Sequence, residues 1–448
     1  MSGQIHGQID ALVRRALALH GSERLAEAAA LYDEILASAP DRSDILHLRG
    51  ICAFQDGQCG RAEAAIRKAI SLAPGEPDYH NSLSIVLAES GAFADAVAAA
   101  EQAHRLAPAH DGYRLTLADA HYGAGRKDAA TEAYRAVLAI RPEDPKILSA
   151  LAGIAFDRGD DGAAQALFAR AADADPSYAW ARCCVAGETL ARWCDEARLP
   201  ALLDSLPPVS GEMPGADPSQ PLVFAACDAA YLERYAVALA RSVDRCAPAH
   251  DIHLHVMAGA GDADAMLDAL RRSLPSTHLT VTRETPPDGA DAVYFSNMRF
   301  ARLWQTGIAG IRPVFALDAD SLVRSPLAAG PGAPVAALLR PWIPHLNRRM
   351  LATSVLFRPE PQAASLLAAV ATYILSAMNE GVSAWYLDQC AFTVAARHLQ
   401  CVTDSVALGD LDPRFADERM TDRAAIWSAK GTRKENARYM TEAARLAA

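Results

Sequence analysis

The chain has 448 residues, 51% of them hydrophobic, with 54 acidic against 43 basic side chains and a formal net charge of −11. That length points to two or three domains with ample cores, and the negative balance argues against nucleic acid as the main partner, because phosphate binding needs a basic face. Nine cysteines without a CxxC spacing argue against a zinc or disulfide framework and fit reduced, partly buried thiols in a cytoplasmic protein. The opening MSGQIHGQID lacks the basic-then-apolar pattern of a signal peptide. The longest apolar stretch, Ala363 to Met378, falls short of the roughly 20 residues of a membrane helix, so no integral membrane segment is expected.

From the N-terminus, five prolines (Pro40, Pro74, Pro108, Pro142, Pro176) recur every 34 residues. Twelve residues before each stands an alanine (Ala28, Ala62, Ala96, Ala130, Ala164). Four residues after each alanine comes a mostly bulky side chain: Tyr32, Ile66, Ala100, Tyr134, Phe168. Gly50 sits where two helices must approach closely. This period and pattern resemble the tetratricopeptide (TPR) repeat, a helix–turn–helix unit whose second helix a proline can end. Residues 9–176 read as five repeats, with Tyr178–Arg198 (including Trp180 and Trp193) as a terminal cap. The resemblance implies a solenoid that binds a peptide or protein on its concave face, where the first helices offer Asp44, His47, Phe54, Asp78, Asn81, Asp119, Tyr122 and Phe156.

The stretch LPPVSGEMPGADPSQP, about 206–221, reads as a linker. Beyond it, apolar runs alternate with helical patterns. Strands are predicted at Leu222–Cys227, Ile252–Met257, Leu279–Thr282 and Pro313–Leu317, with further candidates at Val335–Leu339 and Ser354–Phe357. Helices are predicted at Tyr231–Cys246, Ala263–Ser273, Phe295–Ala309 and Ala363–Met378. That alternation predicts a largely parallel sheet covered on both faces. The predicted organisation is multidomain: an all-α TPR solenoid over 1–200, a linker over 201–220 and an α/β, Rossmann-like domain over 221–448.

Ligands of such sheets bind at the carboxyl ends of strands. There the fourth strand gives way to Asp318-Ala319-Asp320. Two carboxylates around one point suit Mg²⁺ or Mn²⁺. A phosphate charge 4 Å from a carboxylate would be repelled by roughly 4 kcal/mol at an effective dielectric of 20 unless a cation intervened. Asp-x-Asp also occurs at 173/175, 262/264 and 410/412, but only 318/320 follows an apolar strand in a βαβ setting.

Four segments then match, in order, a family of nucleotide-sugar-dependent enzymes: Asp228-Ala229-Ala230-Tyr231, Phe300-Ala301-Arg302-Leu303, Leu317-Asp318-Ala319-Asp320 and Asp388-Gln389. Residues 221–435 thus resemble a GT-A-type glycosyltransferase, closest to glycosyltransferase family 8. The resemblance implies a metal-dependent hexosyltransferase with a UDP-linked donor and retention of configuration. Asp228, Tyr231, Arg302, Asp318 and Lys434 would bind the nucleotide sugar, and Asp318 and Asp320 would hold Mn²⁺ (or Mg²⁺). Asp388 and Gln389 would stand at the reacting sugar. Two departures are visible. Leu351-Ala352-Thr353-Ser354 replaces an Asn-x-Gly, and in the C-terminal His-x-x-Gly-x-x-Lys the His is Ser428, although Gly431 and Lys434 are present.

Structural readings stand beside these. Asp228 suits a helix cap, Tyr231 a packed aromatic, Arg302 a surface charge, Asp388 and Gln389 a helix start, and Lys430 and Lys434 a solvated tail. His253 and His255, on one strand face, read as structural, and Cys227 and Cys390 as packing groups. The alternative to an enzyme is a non-catalytic TPR adaptor with a degenerate sugar-nucleotide domain. A nucleotidyltransferase is a third class, but CDAAYLERY is not the Gly-rich phosphate loop it would need.

Overall fold

The structure is a computed structural model; it describes residues 2–259, 261, 263–403, 408–412, 414–417, 420, 424–428, 434 and 437–447. The chain divides into two compact units, one of residues 1–154 with 342–344, the other of residues 155–341 with 345–448. The dividing line falls within a helix of the fifth repeat, earlier than the predicted end of the solenoid at residue 200.

The repeats are helical throughout: α1 (Ser2–Gly21), α2 (Leu25–Ser38), α3 (Ser43–Gln55), α4 (Cys59–Leu72), α5 (Pro77–Glu89), α6 (Phe93–Leu106), α7 (Asp111–Gly123), α8 (Lys127–Leu138), α9 (Pro145–Asp157) and α10 (Asp161–Ala174). The periodic prolines act through the residue before them. Ala39, Ala73 and Ala107 close α2, α4 and α6 with φ near −140°, since the proline ring disfavours the helical region for its predecessor. The periodic alanines are the contact points: Ala28, Ala62, Ala96 and Ala130 are fully buried and Ala164 nearly so. A Cβ on Gly50 would lie 2.6 Å from the Ile66 side chain and 3.2 Å from the Ala62 carbonyl oxygen, so α3 and α4 meet there without room for a methyl group. A second 34-residue periodicity shows its purpose only in the backbone. Gly57, Gly91, Gly125 and Gly159 adopt φ between +74° and +78° at the turn between the two helices of a unit, and Glu23 takes the equivalent turn at +60°. Glycine suits that left-handed turn, whereas Glu23 bears strain.

In the second unit, a 3₁₀ segment (Pro176–Cys183), α11 (Gly187–Trp193) and α12 (Leu199–Asp204) precede the sheet. Trp193 is buried with its ring edge-on to Tyr373, at 5.1 Å between centroids. The stretch read as a linker contributes an edge strand, β1 (Ser210–Gly211). It is followed by β2 (Leu222–Asp228), α13 (Ala229–Tyr231), a π-helical turn (Leu232–Ala236), α14 (Val237–Cys246), β3 (Asp251–Met257), α15 (Asp264–Arg272) and β4 (Leu279–Glu284). Next come α16 (Ala292–Gln305), β5 (Val314–Leu317), β6 (Ser321–Val323), β7 (Val335–Leu339), β8 (Met350–Phe357), α17 (Pro361–Asn379) and α18 (Leu387–Thr403). The chain closes with β9 (Leu408–Asp410), β10 (Ala416–Asp417), β11 (Ile426–Ser428) and α19 (Ala437–Ala447).

The main sheet runs β1-β4-β3-β2-β5-β8-β7-β9. β4, β3, β2 and β5 are parallel, but β8 is antiparallel to β5 and β7 to β8. The largely parallel expectation is therefore corrected to a mixed sheet. The cause is the short path from β7 to β8, which holds only a 3₁₀ turn (Leu346–Arg348) and no crossover helix. One face packs Val223, Leu254 and Phe315 against Leu239, Val243 and Leu267 of α14 and α15. On the other side, Met298 and Ala301 of α16 pack with Ala371 and Leu375 of α17. By length and composition α17 could cross a bilayer, yet most of its apolar stretch is buried inside the protein. β6 leaves the main sheet and joins a second one, ordered β10-β11-β6. Asp318-Ala319-Asp320 is the joint between the two sheets.

Candidate functional site

β2 has β3 on one side and β5 on the other, all parallel, so chain order reverses between β2 and β5. A crevice opens outside the carboxyl ends at such a reversal. Asp228 ends β2, and Asp318 follows the last residue of β5.

Asp228 serves as the cap of α13: its carboxylate accepts the Tyr231 backbone N–H at 2.7 Å. The Tyr231 ring is 39% exposed, and its hydroxyl accepts a hydrogen bond from Lys434 Nζ at 2.9 Å. That ammonium lies 4.9 Å from the Tyr231 ring centroid and 5.5 Å from that of Tyr235, within cation–π range. It is also ion-paired with the buried Asp320 carboxylate. Burial acts to lower the Lys434 pKa, but Asp320 and then Tyr231 outweigh it, so the ammonium is held above its usual range. From the other side, the Tyr439 hydroxyl donates to the Asp320 carbonyl oxygen at 2.7 Å.

Asp318 is fixed by β8 and α16. Its N–H donates to the Thr353 carbonyl oxygen at 2.9 Å, and its carboxylate pairs with Arg299. The Arg299 guanidinium, 5% exposed, donates to the Ala352 carbonyl oxygen at 2.6 Å and lies 3.5 Å from the Asp388 carboxylate. Asp388 accepts the Gln389 N–H at 2.8 Å in the first turn of α18. The Gln389 side-chain amide nitrogen donates to the carbonyl oxygens of Asn347 and Met350 at 2.7 and 2.6 Å, the orientation that satisfies both its oxygen and its nitrogen. Among the described residues, Arg299 Nε and Thr353 Oγ1 are buried without a hydrogen-bond partner, which leaves polar capacity beside the paired aspartates.

Arg302, expected to bind nucleotide, lies elsewhere. It is 2% exposed and paired with the buried Glu284, and it donates to the Gln305 side chain at 2.6 Å and the Pro207 carbonyl oxygen at 3.1 Å. Glu284 also accepts the Tyr294 hydroxyl at 2.9 Å and faces His255 at 3.5 Å. Burial pushes the Glu284 carboxyl up, but His255 and Arg302 outweigh it and hold it below its usual range. His253 bonds the hydroxyls of Thr280 and Thr282, each at 2.8 Å, and burial takes its pKa down to about 3. Arg299, one turn before Arg302 on α16, is the guanidinium at the site. Its one sequence signal is the i, i+3 spacing of the two arginines.

The resemblance implies Mn²⁺ or Mg²⁺ on Asp318 and Asp320, and the donor set does not fit a resident cation. Each carboxylate already faces a cationic side chain. Ser428, standing for the expected His ligand, is 2% exposed, with its Oγ 2.9 Å from Ser321 Oγ and 3.2 Å from Ser354 Oγ. Among the described residues, no group of three His, Cys, Asp or Glu side chains could hold a metal ion. Lys430 and Gly431 lie outside the described residues.

The candidate interaction residues of the array are partly occupied internally. Asp44 and Asp78 are exposed, Asp44 bonded by Arg42 at 2.8 Å and Asp78 accepting the Tyr113 hydroxyl at 2.7 Å. His47 bonds Ser82 at 2.8 Å and Asp119 accepts the Tyr134 hydroxyl. Tyr122 is buried; so is Phe156, with the Arg397 guanidinium 3.9 Å above its ring in the second unit. Those two side chains are core, not contact surface. Phe54 and Asn81 remain half-buried.

A family model for tetratricopeptide repeats matches residues 19–84 and 87–154, so the N-terminal part of the chain carries TPR repeats. No curated protein matches the chain. Among solved structures, PilW, described as a type IV pilus biogenesis factor, is 18% identical over 44% of this chain and 94% of its own, with a TM-score of 0.38. YrrB, described as a TPR protein with an unusual peptide-binding site, is 18% identical over 37% and 85%, with a TM-score of 0.33. MamA from Desulfovibrio magneticus RS-1 is 19% identical over 38% and 96%, with a TM-score of 0.36.

Proposed function

We propose that the TPR array binds a peptide or protein and that the α/β unit binds a nucleotide sugar and transfers its sugar to an acceptor. The observation that carries the second half is the convergence of Tyr231, Lys434, Asp320, Asp318 and Arg299 at the reversal point of the sheet. In such a transfer the bond from the anomeric carbon to the diphosphate breaks, its electron pair leaving with the nucleotide. A bond to the acceptor oxygen forms, and the acceptor proton passes to the departing phosphate. Lys434 would stabilise the charge on that leaving group, and Arg299 would hold Asp318 and Asp388 in position beside it. The full-length protein, offered UDP-, GDP-, ADP- and dTDP-sugars with and without Mn²⁺, should release nucleoside diphosphate from one of them. Release from none overturns the transferase reading.

A non-catalytic adaptor is the second reading. It is favoured by the repeat match and by Ser428, whose hydroxyl is tied to Ser321 and Ser354. It expects a nucleoside diphosphate to raise the melting temperature, as a ligand of the folded state must, with no donor turnover.

A further inference from the structure

Each aspartate of the 318/320 pair has its own cation, one from the middle of the second unit and one from near its C-terminal end. Arg299 reaches Asp318 from α16, and Lys434 reaches Asp320 from the segment between β11 and α19. Two bare carboxylates would repel a diphosphate; a cation on each offsets that repulsion, with Asp388, 3.5 Å from Arg299, left as one further carboxylate. A lysine ammonium has three donors. Asp320 and the Tyr231 hydroxyl engage two of them, which leaves one for a phosphate oxygen. Tyr231 and Tyr235 wall the same ammonium with their rings. The hydroxyl of Thr353, a fully buried residue, and the Nε of Arg299 add hydrogen-bonding capacity that no atom of the described residues uses. By contrast, the residue that would complete a metal shell is a serine bound to two other serines.

We propose that this site binds the diphosphate of its nucleotide without a divalent cation, with the Lys434 ammonium supplying the positive charge that a metal would otherwise bring. Asp320 then acts as a positioning residue that holds Lys434 against Tyr231, and is not a metal ligand. The inference rests on the nucleotide-binding reading above and narrows it.

The test titrates the full chain with UDP, GDP, ADP and inorganic pyrophosphate by calorimetry, once in EDTA and once with Mn²⁺. The expected result is an affinity that agrees within about twofold between the two conditions. Lys434→Met should weaken binding tenfold or more in EDTA and Lys434→Arg should retain most of it, with circular dichroism checking that both variants fold. Ser428→Ala, which removes the serine hydroxyl, should leave binding unchanged. Binding that appears only with Mn²⁺ overturns the proposal, and so does EDTA-resistant binding that a folded Lys434→Met variant keeps. No binding of any probe under either condition overturns the nucleotide-binding reading itself, a different failure from a metal requirement.

Discussion

The repeat array and the α/β unit bury different chemistry. Within residues 9–154 the residues buried as polar are Ser84, Thr131 and Ser149, all neutral, and the helices meet through apolar side chains, the periodic alanines and close-packed glycines such as Gly50 and Gly123. The second unit buries Arg299, Arg302, Arg312, Glu284, Asp320 and Asp388, with His253 and His255. Buried charge is costly unless paired, and pairing it well seldom adds net stability. An array that only needs to stack has no use for such groups. Their concentration in the second unit, several of them at the strand ends, is what a site that handles charge requires.

The contrast can be broken in three ways, the first carrying the largest expected effect. Arg302→Ala would strand the Glu284 carboxylate in the core and should cost about 3–5 kcal/mol in denaturant unfolding. Under conditions where the variant remains folded, nucleotide affinity should be unchanged; a specific loss of affinity would restore Arg302 to the binding site. The second concerns pH. With its folded pKa near 3 against 6.5 unfolded, His253 stays neutral in the native state while the unfolded chain takes up a proton. Its contribution to stability is complete above pH 6.5 and is lost as pH falls toward 3, on the order of 5 kcal/mol over the whole range and about 3 kcal/mol by pH 4. Urea titrations from pH 7 to 4 should show a shallower stability loss in His253→Gln, and identical slopes would break the assignment. The smallest change falls on the array. Glu23→Gly relieves the one non-glycine left-handed turn in the repeat series and should raise stability by about 1 kcal/mol, read from the melting of the first unit.

The same contrast explains what was legible in the sequence. The repeats declare themselves because their contacts lie within about one period of 34 residues, so proline, alanine and helix ends recur in register. The strands from Leu222 to Leu317 were legible for a similar reason, each being a short apolar run. The antiparallel half of the sheet was not, because strand direction depends on a connection between β7 and β8 that carries no periodic signal. At the site, Asp228, Tyr231, Asp318, Asp320 and Lys434 could be named one by one. What paired with each was hidden: Arg299 is 19 positions from Asp318 and Lys434 is 114 from Asp320, distances that only the finished topology closes. Arg302 shows the hazard of a short motif, since three residues along α16 separate an arginine in the core from one at the crevice. The left-handed turn, glycine in four units, is periodic in the sequence too, but its purpose is a φ angle that letters do not display.

Three residues, 318 to 320, form the seam where the chain passes from the eight-stranded sheet to the three-stranded one. Asp318 is held from the large-sheet side by Thr353 and Arg299, and Asp320 from the small-sheet side by Lys434 and Tyr439. Any molecule that grips both aspartates or their cations therefore rivets one sheet to the other.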